Sequence, residues 1–97
     1  MRSRWRSEAR AAAEAYPERK LRELTQREQR AQEAVETALD AMGNFKSAKK
    51  RKKLVDMVYF RRSHKLYGAG VELEISEETA KHWNSDFLLC VWGGLRR

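Results

Sequence analysis

The chain has 97 residues, of which 36% are charged and 41% are hydrophobic, and its formal net charge at pH 7 is +7. This length suits one domain over residues 1–97, and the low content of glycine and proline favours long solvated helices over a sheet with many turns. The sequence therefore predicts an all-α protein.

The composition also excludes several classes of protein. Cys90 is the single cysteine and lies in an apolar run, so we expect a buried structural thiol, no disulfide, no metal site and a reducing cytosol. No apolar run reaches the roughly 18 residues that cross a membrane, and the N-terminus lacks the apolar centre of a signal peptide. We expect a soluble intracellular protein, without membrane contact or cofactor.

Catalysis is not expected. The sequence offers no nucleophile beside a base, no glycine loop for phosphate and no paired carboxylates in an apolar setting. His64 and His82 lie in polar contexts without further metal ligands nearby. The sequence therefore favours a binding protein over an enzyme.

The positive charge is concentrated in the middle of the chain. Residues 46–65 contain nine basic side chains against Asp56 alone, whereas residues 1–45 carry nine basic and eight acidic side chains. Such a block attracts phosphate backbones or acidic protein surfaces. We predict that it contacts DNA phosphates through Lys46, Lys49, Lys50, Arg51, Lys52, Lys53, Arg61, Arg62 and Lys65. A solvated helical turn and a localisation signal are the other interpretations.

Two long helices are predicted in the N-terminal half. The first spans residues 1–16, and Pro17 opens the second, over residues 17–42, because proline suits a first helical turn. A heptad seam follows the second helix at Leu21, Leu24, Glu28, Ala31, Val35, Ala38 and Met42. This seam needs a partner, either the first helix or a second copy of the protein. The arginines of the first helix, Arg2, Arg4, Arg6 and Arg10, are either a basic arm or solubilising groups.

The chain then turns at Gly43 and Asn44, which tolerate the left-handed conformation of a C-cap. A third helix over residues 47–62 carries the basic block in its first half and apolar residues in its second half. Backbone contacts from this block would position the protein on DNA without reading sequence. Residues 1–45 thus form a helical arm or hairpin, and residues 46–97 begin with a basic helix.

The C-terminal segment has the spacing of a helix-turn-helix, in which the second helix enters a DNA groove. Ser63 is predicted to cap a fourth helix over residues 64–73, with Gly70 at the closest crossing. Ile75 fills the joint, and Ser76 caps a fifth helix that stops at the glycine pair 93–94. Its buried stripe is Ala80, Trp83, Phe87 and Leu88, which leaves as candidate base-reading residues Lys81, His82, Asn84 and Ser85.

The run from residue 53 to residue 95 resembles the C-terminal half of the RinA/ArpU-type phage regulators, whose helix-turn-helix is similar to region 4 of bacterial sigma factors. An apolar helix ending in Tyr-Phe and a small-residue helix precede the joint formed by Ile75, Ser76, Thr79 and Ala80, with Trp83 after it. The resemblance covers a little under half of the chain. It implies a small DNA-binding protein of a phage or prophage, often a late-gene transcription regulator, with the helix after Ser76 as the recognition helix. It also implies a cytoplasmic location in the bacterial host cell.

Three functions follow as hypotheses. The first is a phage transcription regulator that binds double-stranded DNA, as a possible homodimer. The second retains the fold but binds RNA polymerase or another host protein, because Glu77 and Glu78 in the first turn of the recognition helix would repel phosphate. The third is a small-terminase-like packaging subunit, which would also join a helix-turn-helix to helical oligomerisation elements.

Overall fold

A computed structural model describes residues 4–96, and within them the protein is helical without any strand. The prediction of an all-α helical fold is therefore confirmed. Five α-helices and one π-helix follow one another as α1 (Arg4–Arg19), α2 (Gln26–Met42), α3 (Ala48–Val55), the π-helix (Asp56–Phe60), α4 (Leu66–Glu72) and α5 (Glu77–Leu95).

Helix α1 continues through Pro17, so the prediction that this proline opens a second helix is wrong. Pro17 lies in the last turn of α1, so the helix loses the bond that an N–H there would donate to the Ala13 carbonyl, but only two helical residues follow the proline. Ala13 and Tyr16, just before it, are buried and hold this turn on the core. The predicted helix start at residue 1 and the arginine Arg2 lie outside the described residues.

Helix α2 begins nine residues later than predicted, at a capping box. The Thr25 hydroxyl accepts the Glu28 N–H at 3.2 Å, and the Glu28 carboxylate accepts the Thr25 N–H at 3.0 Å. Arg22 donates to the same carboxylate at 2.9 Å, and mainly this hydrogen bond lowers the pKa of Glu28 to about 2. Glu28 is thus a cap residue, and its assignment to an apolar seam was wrong.

The remainder of the seam packs within the chain. Ala31, Val35, Ala38 and Met42 are buried, mostly against α5 and α1. The seam's first member, Leu21, lies before α2 and is 86% exposed. Intramolecular packing therefore accounts for the buried part of the seam.

Helix α5 is the central element, since it packs against α1, α2, α3 and α4. It passes through the predicted stop at Gly93 and Gly94 and ends at Leu95, so that prediction is wrong. A Cβ atom on Gly94 would lie 2.9 Å from the Cα of Ala34 and 2.7 Å from its Cβ. This glycine allows α5 to lie directly on α2.

The turn between α2 and α3 also differs from expectation. Gly43 has right-handed geometry, with φ of −64°, so the predicted left-handed cap is wrong there. Ser47 takes the left-handed conformation instead, with φ of 59°, immediately before α3. The left-handed residue of this turn is therefore Ser47, four residues after Gly43.

The π-helix follows α3 directly and contains one more residue per turn than an α-helix would. The Arg61 N–H donates to the Asp56 carbonyl at 2.7 Å, which is the five-residue spacing of a π-helix. Val55 and Tyr59 lie in the larger core between α1, α2 and α5, whereas Leu54 and Met57 lie in a smaller core under α4. The segment therefore contributes side chains to both cores.

Candidate nucleic-acid interface

Helix α4, a turn and helix α5 form the pair of helices that the sequence predicts. The Cβ position of Gly70 is 3.3 Å from the Cβ of Ala80, so a larger residue at position 70 would push the helices apart. Ile75 packs into the smaller core beside this crossing. Ser76 caps α5 by accepting the Thr79 N–H at 3.1 Å, as predicted.

The start of α4 and the turn before α5 differ in detail from the prediction. Helix α4 starts at Leu66 with Lys65 at its N-cap, and the Ser63 hydroxyl contacts His64 Nδ1 at 2.8 Å, so Ser63 is not the cap. Glu74 takes the left-handed conformation with φ of 60°, at the turn position where glycine is the favoured residue.

Five exposed lysines of the basic block form a row that begins just before α3 and continues along it; we call this set the lysine row. Its members are Lys46, Lys49, Lys50, Lys52 and Lys53. Four of them, all except Lys46, line an open groove of about 700 Å³, whose other wall includes Glu72, Leu73 and Glu74. The lysine row therefore lies beside the turn that precedes α5.

The other basic residues of the block lie after the π-helix, away from the lysine row. Arg61, Arg62 and Lys65 are exposed in the loop between the π-helix and α4, and Arg61 pairs with Asp56 at 2.7 Å. This loop follows Lys49 by twelve or more residues and lies beyond the C-terminal end of the π-helix, whereas the lysine row lies at the N-terminal end of α3. The nine predicted phosphate contacts thus do not form one patch.

Arg51 is the member of the block that the structure removes from the surface, and its prediction as a phosphate contact is wrong. It is 8% exposed, and its guanidinium lies between the rings of Phe45 and Trp83, at 4.5 and 5.0 Å from their centroids. It donates to Asp86 at 3.1 Å and to the Lys46 carbonyl at 3.0 Å. All of these partners of the Arg51 guanidinium belong to the protein itself.

Asn84 is likewise buried, so its prediction as a base-reading residue is wrong. It lies four residues after Ala80 and three before Phe87, on the stripe that faces the core, and is 8% exposed. Its side-chain oxygen accepts a hydrogen bond from the Tyr59 hydroxyl. Burial raises the pKa of Tyr59, which keeps this donor protonated.

The three other candidate base-reading residues lie on or near the outward face of α5. Lys81 and His82 are exposed and pair along the helix with Glu77 at 3.3 Å and with Asp86 at 3.4 Å. Ser85 is partly buried and accepts a hydrogen bond from Arg6 of α1 at 2.9 Å. Exposed pairs of this kind contribute little stability, so these side chains can exchange partners.

Negative charge surrounds the turn itself. Glu72, Glu74, Glu77 and Glu78 are all exposed there. Two of them, Glu72 and Glu74, share the groove with the lysine row. The turn therefore presents carboxylates to any partner that approaches α5 from its N-terminal end.

Cys90 lies on the side of α5 that faces Arg51. Burial is the main cause that raises the pKa of its thiol, Asp86 raises it further, and Arg51 opposes both. Among the described residues, no group of three or more histidine, cysteine or acidic side chains is arranged to hold a metal ion. None of the helices described has the length and apolar character needed to cross a membrane.

Comparison of the chain with known protein families, with curated proteins and with solved structures finds no match.

Proposed function

We propose that the protein binds double-stranded DNA through its helix-turn-helix and regulates transcription, as the resemblance to phage regulators implies. The observation that carries the proposal is the position of the lysine row beside the turn of the α4–α5 pair. A duplex that lies against α5 can there place its phosphates against free ammonium groups. Phosphate contacts of this kind hold and orient a protein on DNA.

The lysine row supplies the affinity in this arrangement, and α5 supplies any preference for sequence. Five phosphate contacts correspond to a slope of about −4 to −5 in a plot of log affinity against log salt concentration. Lys81, His82 and Ser85 remain as side chains that can reach base edges once their weak surface contacts are exchanged. We therefore expect strongly salt-dependent binding with a moderate sequence preference.

The test is a titration of a random-sequence duplex pool at several salt concentrations, followed by selection of the bound fragments. Replacing Lys49, Lys52 and Lys53 by glutamine should reduce the magnitude of the salt slope by roughly 2 to 3. The matched control replaces three exposed basic residues elsewhere, Lys20, Arg27 and Arg30. Equal losses in both triple variants, or no binding by the wild type at about 50 mM salt, would refute the proposal.

A second candidate function is binding to a protein such as RNA polymerase, and the exposed carboxylates of the turn favour it. Glu77 and Glu78 occupy the first turn of α5, where they repel phosphates but suit a basic protein surface. The double variant Glu77→Lys, Glu78→Lys separates the two functions. Tighter DNA binding together with lost binding to purified bacterial RNA polymerase would support the second candidate, and no polymerase binding by the wild type would reject it.

A further inference from the structure

Arg51 connects three separate segments of the chain. Its guanidinium stacks on Phe45 in the turn before α3, and its Nε donates to the Lys46 carbonyl in the same turn. The guanidinium also lies over the ring of Trp83 and donates to Asp86, both on α5. One side chain of α3 therefore holds the start of the lysine row against the recognition helix.

These contacts require arginine rather than any positive charge. A guanidinium is planar, so both faces can stack on rings while its edge donates several hydrogen bonds. A lysine ammonium at the same place can keep the charge but cannot stack on two rings or donate along two fixed directions. In this run of basic residues, Arg51 is the one whose chemistry fits a buried position.

We propose that Arg51 is a positioning residue, which fixes the orientation of the recognition helix α5 relative to the lysine row and contacts no phosphate itself. The inference rests on the proposed DNA binding.

The orientation matters because the two surfaces must engage the same duplex. The lysine row and the outward face of α5 belong to different helices. Binding through both surfaces adds affinity only when both can contact the same duplex at the same time. If α5 turns relative to α3, the lysines still bind phosphates but the side chains of α5 no longer meet base edges. Loss of the Arg51 contacts therefore reduces discrimination between sequences more than it reduces general affinity.

The conservative variant Arg51→Lys tests this point. We expect the affinity of this variant for the tightest-binding DNA fragment from the selection to fall about tenfold, which is roughly the effect of losing one base contact. Its affinity for a fragment of scrambled sequence should change little. The control Lys50→Gln removes one exposed charge of the lysine row, so the affinities for both fragments should fall in parallel. The slope of log affinity against log salt concentration should decrease in magnitude by about 0.9. A ratio between the two fragments that stays within about twofold of wild type in Arg51→Lys would overturn the proposal.

A second variant and a second readout guard against effects of misfolding. Asp86→Asn keeps both rings and the guanidinium but removes the ion pair, and it should also reduce the ratio between the two fragments. Circular dichroism must show each variant folded at the assay temperature. An unchanged ratio in folded Asp86→Asn would show that the orientation of α5 does not depend on this contact.

Cys90 reports on the same contacts without any DNA. It is the single cysteine, so the pH dependence of its rate of reaction with an alkylating reagent such as iodoacetamide reports the pKa of its thiol in the intact protein. Arg51 lowers the pKa of this thiol and Asp86 raises it, while His82 is the other titratable group near Asp86. We expect Arg51→Gln to raise the pKa of the thiol and Asp86→Asn to lower it.

The two readouts separate the possible failures. If wild-type protein binds no duplex from the pool, the proposed function fails, and the positioning role on DNA fails with it. The titration of Cys90 then still decides whether Arg51 and Asp86 meet beside α5. Asp86 lies one turn before Cys90 on α5 wherever Arg51 lies, so the Arg51→Gln variant decides this point. If that substitution leaves the pKa of Cys90 unchanged, Arg51 does not lie beside α5 and the contact is refuted, whatever the protein binds.

Discussion

Gly93 and Gly94 are neighbours in the last turn of α5, yet replacing each by alanine should change stability in opposite directions. A Cβ atom on Gly93 would have no other atom within 4 Å. The same atom on Gly94 would lie 2.7 Å from the Cβ of Ala34 and 2.9 Å from its Cα. The backbone of α2 cannot give way as a flexible side-chain end can, so the helices must move apart.

The expected magnitudes follow from these surroundings. Alanine is favoured over glycine by up to about 1 kcal/mol inside a helix, and we expect about half of that in a last turn, so Gly93→Ala should stabilise by about 0.5 kcal/mol. Gly94→Ala gains the same amount but overpacks the contact with Ala34, which costs about 1–3 kcal/mol. Its net effect is a destabilisation of about 0.5–2.5 kcal/mol.

Urea denaturation followed by far-ultraviolet circular dichroism measures both free energies of unfolding. Thermal unfolding of the same variants gives their melting temperatures. For a domain of this length, a change of 1 kcal/mol in the free energy of unfolding shifts the melting temperature by roughly 4–8 °C, so the two variants should differ by about 10 °C. The slope of the urea dependence should not change, because both variants bury nearly the same surface. A Gly94→Ala variant as stable as Gly93→Ala would show that α5 does not pack on Ala34 and would refute this account of its end.

Three further predictions concern the core, the cap and the charged turn. Tyr59→Phe leaves the buried amide of Asn84 without its donor and should cost about 1–3 kcal/mol in urea denaturation, whereas adding Asn84→Leu should recover part of that loss. Because hydrogen bonds from Arg22 and from the Thr25 N–H lower the pKa of Glu28 from 4.5 to about 2, the contribution of its charge to stability is complete above pH 4.5 and disappears as the pH falls through 2. The difference in free energy of unfolding between wild type and Glu28→Gln should therefore shrink over that window, and a difference that is constant with pH would contradict the contacts of this carboxylate with Arg22 and Thr25. Replacing Glu72 and Glu74 by glutamine removes negative charge beside the lysine row and should raise affinity for duplex DNA about two- to fivefold at low salt, with a smaller gain at high salt; an unchanged affinity would place the duplex elsewhere.

The sequence predicts the helix-turn-helix best, because its elements are set by local chemistry. A serine before a helix, such as Ser76, accepts an N–H of the first helical turn whatever surrounds it. Two helices that cross closely need small residues at the crossing, and Gly70 and Ala80 are such residues. The start of α2 was also readable, since Thr25 and Glu28 have the spacing of a capping box. The heptad spacing of Leu21 and Leu24 before the box and of Ala31 and Val35 after it conceals this start, because it continues across the box without a break.

Other features depend on contacts between distant residues, which no local pattern specifies. Asn84 has the spacing of a buried position but the chemistry of an exposed one, and only its partner Tyr59 makes burial favourable. Arg51 lies among exposed lysines in sequence, and its burial requires rings from two other segments. The left-handed Glu74 is held by the packing on either side of the turn. These residues include two of the thirteen predicted site residues, and both are removed from the candidate interface.

The π-helix decides where this helical stretch tolerates a change of length. Each α-helical residue rotates the chain by about 100°, so deleting one residue inside α3 would turn the segment that follows by that angle and would point the small-residue face around Gly70 away from Ala80. Deleting one residue between Asp56 and Phe60 would instead restore the α-helical hydrogen-bond pattern, because the wide turn already accommodates one residue more than an α-helical turn. The segment after it would keep nearly its present direction. The π-helix is therefore the place in this stretch where the loss of one residue disturbs the C-terminal pair of helices least.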